Sequence, residues 1–157
     1  MKLGIQIDKK FQKYLREECL QQVVEQILAT QNIDSEVEVG LLITDDKTVR
    51  ALNKSYRGLD EPTDVLSFAL TEKQPGNDSP FVNPPDGILH LGEVIISYPQ
   101  AVRQAKENNH RVEQEVALLI IHGVLHLLGY EHDEPAKEKE MRALEKKVLS
   151  EVEKWLK

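Results

Sequence analysis

The chain has 157 residues, 40% of them hydrophobic and 30% charged, and a formal net charge of −7. That balance suits one soluble globular domain over 1–157, excludes a disordered chain, and argues weakly against a sequence-blind nucleic-acid binder, although a basic stripe can sit on an acidic protein. The N-terminus lacks a signal-peptide apolar region, no apolar run nears the ~20 residues of a membrane span, and the lone Cys19 excludes an internal disulfide, so a cytoplasmic protein with no membrane partner is expected.

Residues 3–7 alternate enough for a short strand. Phe11, Leu15, Leu20, Val23, Val24, Ile27 and Leu28 recur at helical spacing, which predicts an amphipathic helix from Phe11 to Ala29 with Cys19 as a small buried residue. After the loop Thr30–Ser35, alternation at Val37, Val39, Leu41 and Ile43 predicts a strand. Thr44, Asp45 and Asp46 supply an N-cap for a short helix to about Ser55. Lys47, Arg50, Lys54 and Arg57 recur along this segment, as a solvated helix face or as phosphate contacts.

Val65–Leu70 reads as a strand entered through Pro62-Thr63-Asp64. The segment 71–87 carries Pro75, Gly76, Pro80, Pro84, Pro85 and Gly87 and is expected to be a loop. Ile88–Ile96 is a further strand, and Ser97 caps a helix with Pro99 in its first turn. The helix predicted from Arg111 to Leu128 is apolar around most of its circumference and should be central and buried. Asp133 and Pro135 open a last helix striped by Met141, Leu144, Val148, Val152 and Trp155. These elements predict an α+β fold: about four strands in a mixed sheet, packed with about five helices, the central one carrying the site.

The chemistry concentrates in His122-Gly123-Val124-Leu125-His126-Leu127-Leu128-Gly129-Tyr130-Glu131-His132. Residues four apart on a helix point the same way about 6 Å apart along its axis, so His122 and His126 can converge on one ion. Gly129 suits the left-handed residue that ends a helix, and the turn can deliver His132 as a third ligand, leaving a fourth position open. The competing reading, two half-buried histidines and a third on a loop, leaves polar rings without partners on the most apolar helix, which is costly. One zinc ion per chain, held by His122, His126 and His132, is therefore expected.

In the zinc-protease pattern H-E-x-x-H the residue after the first histidine is a glutamate general base, and here it is Gly123. Glu131 and Asp133 flank the third ligand and could orient a ring or simply be a solvated turn. Phosphodiester cleavage instead needs a cation that grips phosphate oxygens, ideally arginine.

The histidine run resembles the signature H-G-x-L-H-L-x-G-Y-D-H of the YbeY family of metal-dependent endoribonucleases, with Glu131 in place of Asp. Leu52-Asn53-Lys54-Ser55-Tyr56-Arg57 through Pro62-Thr63-Asp64-Val65-Leu66-Ser67-Phe68 resembles that family's L-N-x-x-Y-R and P-T-D-V-L-S-F block. Leu91-Gly92-Glu93-Val94-Ile95-Ile96-Ser97 resembles its L-G-D-I-x-I-S strand, with Glu93 again for Asp. The resemblance implies a small α+β fold and a single-strand-specific, zinc-dependent endoribonuclease in ribosomal RNA maturation and ribosome quality control. It implies partners in ribosomal RNA and in a ribosomal subunit or its proteins, and it singles out Arg57 as the catalytic arginine. His90 and His110 fall outside the motif and are expected to be structural or exposed. Two other readings stand beside this one: a zincin-like metallohydrolase of another substrate class, and a non-catalytic, metal-stabilised ribosome assembly factor.

Overall fold

The structure, a computed structural model, describes residues 2–33, 36–61, 63–69, 88–130 and 134–153. The elements run β1 (Lys2–Ile7), α1 (Glu17–Thr30), β2 (Glu36–Thr44), α2 (Asp46–Arg57), β3 (Val65–Ala69), β4 (Ile88–Ser97), α3 (Tyr98–Glu107), α4 (Val112–Leu127) and α5 (Pro135–Val152). The expected α+β fold with a four-stranded mixed sheet and five helices is what forms. Strand order is β1-β2-β4-β3; β1, β2 and β4 are parallel, and β3 is an antiparallel edge strand on β4. The expected loop 71–87 lies outside the described residues, as do Leu70, Asp133 and Trp155.

Alternation along the strands splits the apolar residues between two cores. Val37, Val39, Leu41 and Ile43 of β2 join the main core with α1, α3 and α4, while Leu66 and Ile95 face Val49 of α2 on the other side of the sheet. Each aliphatic side chain fully buried in this way contributes roughly 1.5–3 kcal/mol. Strand β4 holds both halves of its length to the main core by changing phase. Leu89 and Leu91 point there, then Val94 and Ile96 do, because the pairing with β2 slips by one residue between Glu38 and Val39. Gly92 absorbs that bulge at φ 132°, where a Cβ would lie 2.0 Å from the Phe68 carbonyl oxygen.

The N-terminal helix is shorter than expected. Phe11 belongs to a separate 3-10 turn, Lys9–Phe11, because the Asp8 carboxylate accepts from Lys10 N–H at 3.1 Å and ends the strand in a tight turn. Phe11 then packs its ring 4.9 Å from Tyr98, and Cys19, on the first turn of α1, is half-buried rather than buried.

Candidate metal and RNA site

Helix α4 is buried at every position from Glu115 to Leu127 except Leu118, His122 and His126. A spacing of four keeps those three on a single stripe, so the helix that forms the centre of the fold opens to solvent along one line. The two imidazoles meet there edge to face, centroids 4.5 Å apart, with their Nε2 atoms 3.1 Å from each other. Two ligand nitrogens on a tetrahedral zinc ion stand about 3.3 Å apart at ordinary bond lengths. The donor set therefore fits a small divalent cation, and the C-terminal turn of α4, where His126 sits, carries the negative end of the helix dipole.

The outer nitrogen of His122 is also engaged. Nδ1 lies 2.7 Å from Glu145 Oε1 on α5, with the two side chains 30% and 14% exposed. Sequence reading missed this residue: it is 23 positions away, and its only mark is its place beside the Met141–Leu144–Val148 stripe that docks α5.

Beyond Leu127 the chain stops the helix as expected. Gly129 takes φ 100°, Tyr130 N–H donates to the Leu125 carbonyl at 3.0 Å, and Gly129 N–H donates to that of His126 at 3.0 Å. This double bond pattern satisfies carbonyls the helix leaves open. Tyr130 then donates its hydroxyl to Gln31 Oε1 at 2.6 Å, which ties the outgoing chain to the end of α1. His132 and Glu131 come next and lie outside the described residues. Among the described residues no three His, Cys, Asp or Glu side chains gather as a metal site; two of the three expected ligands are described, and those two converge.

Arg57 ends α2, exposed to solvent and without an ion pair among the described residues. Gly58 follows at φ 71°, and Asn53, buried beneath, donates its Nδ2 to the Glu61 carbonyl at 3.0 Å, so the chain turns away at once. Of the other cations in the segment, Arg50 is paired with Asp60 at 2.8 Å, whereas Lys47 and Lys54 project from the exposed side of α2. No hydrogen bond or ion pair joins Arg57 to either histidine. Edge strand β3 lies between them: Ser67 donates its hydroxyl to the Gly123 carbonyl at 3.2 Å, beside His122, and Phe68 packs 5.1 Å from Tyr56, beside Arg57.

His90 and His110 take structural parts, with Nδ1 3.1 Å from Glu38 and 3.6 Å from Glu115 respectively.

The sequence profile described as Endoribonuclease YbeY matches residues 5–153. The chain is 46% identical over 148 residues to the Endoribonuclease YbeY of Roseiflexus sp. (strain RS-1), covering 94% of this chain and 90% of that one. It is 47% identical over 133 residues to that of Moorella thermoacetica, covering 85% and 84%. The solution structure of TM1509 from Thermotoga maritima matches with a TM-score of 0.63 and 28% identity, over 98% of this chain and 91% of that one. Residues 52–132 hold the three motif blocks, and the wider match, residues 5–153, carries the likeness from within β1 to the end of α5: the chain belongs to the Endoribonuclease YbeY family.

Proposed function

We propose that this chain is a zinc-dependent endoribonuclease that cuts single-stranded RNA in ribosomal RNA maturation and ribosome quality control. The observation that carries the reading is the convergence of His122 and His126 Nε2 on the one open stripe of α4, in a chain whose relatives bear the name Endoribonuclease YbeY. His122, His126 and His132 would hold the ion, which when bound polarises a phosphoryl oxygen and lowers the pKa of its water. Arg57 supplies what a phosphodiester requires from the protein, a forked cation free to take two phosphate oxygens. The ribosomal subunit or its proteins are the partners that fit this role, in a cytoplasmic setting; no helix among the described residues is long and apolar enough to cross a membrane.

A zincin-like peptidase fits less well. The position that bears the protease glutamate is Gly123, which is buried against Val94 and Ser67, so a side chain there would be driven into the sheet rather than toward the histidines.

The test is cleavage of an unstructured RNA by nuclease-free, zinc-loaded protein. Expected are internal cuts that a chelator abolishes and that His126→Ala lacks. Intact RNA, or a His126→Ala variant that cuts as well as the parent, would overturn the reading. Ribosomal RNA precursors that mature normally in cells carrying His126→Ala would favour a non-catalytic assembly role instead.

A further inference from the structure

We propose that Glu145 is the positioning residue of the metal centre: it holds His122 in the tautomer and orientation that present Nε2 to the ion. The inference rests on the metal reading given above, and its test separates the two.

An ionised carboxylate has only acceptors, so the 2.7 Å contact with Glu145 Oε1 puts a proton on His122 Nδ1. The lone pair is then left on Nε2, the atom that faces His126 at 3.1 Å. A histidine whose outer N–H is given to a carboxylate is held with its other nitrogen facing the metal position. The support for Glu145 is stiff. Its helix is anchored by Met141 and Val148, both fully buried, one turn to either side.

The burial of Glu145 points the same way. A carboxylate only 14% exposed loses most of its hydration and needs a compensating charge or donor. Among the described residues no lysine or arginine supplies one; His122 does. A cation bound at Nε2 on the far side of that ring would complete the compensation through the imidazole.

The experiment measures zinc affinity by competition with a chromophoric chelator for the parent, Glu145→Gln, Glu145→Ala and His126→Ala. Expected is a loss of about 10–100-fold for Glu145→Ala, with Glu145→Gln between, since an amide oxygen still accepts the proton without the charge. Glu145→Ala binding zinc as tightly as the parent would overturn the inference and leave the metal reading intact. A parent that binds no better than His126→Ala would overturn the metal reading itself. A second measurement needs no variant at residue 145. Long-range proton–nitrogen spectra of the chelator-treated parent at about pH 8, above the imidazole range, with His122 assigned through His122→Ala, should show the Nδ1–H tautomer. An Nε2–H form there would refute the role of Glu145 even if the variants fail to fold.

Discussion

Gly123 presses its bare α-carbon onto Val94: a Cβ built there would lie 2.6 Å from Val94 Cγ1, 3.1 Å from Cγ2 and 3.2 Å from Ser67 Oγ. The glycine between the two histidines thus has a packing cause. It lets α4 settle onto β3 and β4, which brings the Gly123 carbonyl within reach of the Ser67 hydroxyl. The stripe that carries His122 faces elsewhere on the same helix. Val94 is 1% exposed and branched at Cβ, so it has little room to yield.

Gly123→Ala should therefore lower stability by up to about 2 kcal/mol net, an overpacking cost of about 1–3 kcal/mol offset by the roughly 1 kcal/mol that alanine gains over glycine in a helix. Urea unfolding measures the difference. Adding Val94→Ala should return part of the loss relative to the sum of the single changes, because the two sites touch. Strict additivity in that cycle would show that the contact is not the cause.

The histidine pair, the helix that bears it and the glycine that ends that helix were all readable from spacing, because one helix places His122 and His126 by itself. Strands β1 and β2 are readable by alternation, and Asp45, Ser97 and Gly129 by the caps they form. Glu145 was not, because nothing local to α5 says that α5 will lie beside His122; only packing brings the two together. Gly123 was visible as an absent glutamate, yet its reason lies in Val94 on a strand 29 positions earlier. Phe11 falls in helical register with the first helix, and the competing Asp8 turn overrides that periodicity.

Asp45 should matter as a cap more than as an ion-pair partner. Its Oδ1 accepts from Thr48 N–H at 2.8 Å, and its Oδ2 lies 2.6 Å from Lys10 Nζ. Lys10 is 61% exposed, so solvent screens the pair, while the loss of an N-cap oxygen costs about 0.5–2 kcal/mol. Asp45→Ala should lower stability by about that cap cost, and Asp45→Asn by less, since asparagine caps equally well. The Lys10 ammonium, then Thr48, holds this carboxyl well below its usual 3.8. A depressed folded pKa means the contribution is full above 3.8 and fades as pH falls below it. Melting curves on the acid side should accordingly separate the parent from Asp45→Asn down to about pH 4 and bring them together below that.

Glu115 gives the opposite pH dependence. It is 3% exposed near the start of α4, with Oε2 lacking a hydrogen bond and His110 Nδ1 3.6 Å away. Burial pushes its pKa above 4.5, although the nearby His110 works against the shift. The folded state thus prefers the protonated form: the parent is unpenalised below 4.5 and loses stability as pH rises from there through the folded value. Glu115→Gln keeps the shape and removes the ionisation. Its melting temperature should match the parent near pH 4 and exceed it at neutral pH. A gap of constant size across that range would show that ionisation at Glu115 is not its source.

Arg57 should separate catalysis from folding. It is exposed, and no ion pair or hydrogen bond engages it among the described residues, so Arg57→Ala should unfold within about 0.5 kcal/mol of the parent. If it grips the scissile phosphate, the same change should cut kcat by roughly 10²–10³, the range for removing one preorganised donor from a developing anion. Arg57→Lys should restore little, because an ammonium replaces the two-pronged contact with a point charge. Lys54→Ala, one turn back on the same helix, should behave differently. It should weaken RNA binding, with the salt slope falling by about 0.7 for each single-strand phosphate released, while single-turnover cleavage of bound RNA stays near the parent rate. Were Arg57→Ala to lose only this salt-dependent binding and keep its cleavage rate, the arginine would belong to the tracking surface of α2 with Lys54, and the phosphate-gripping role would have to fall to a residue nearer the histidines.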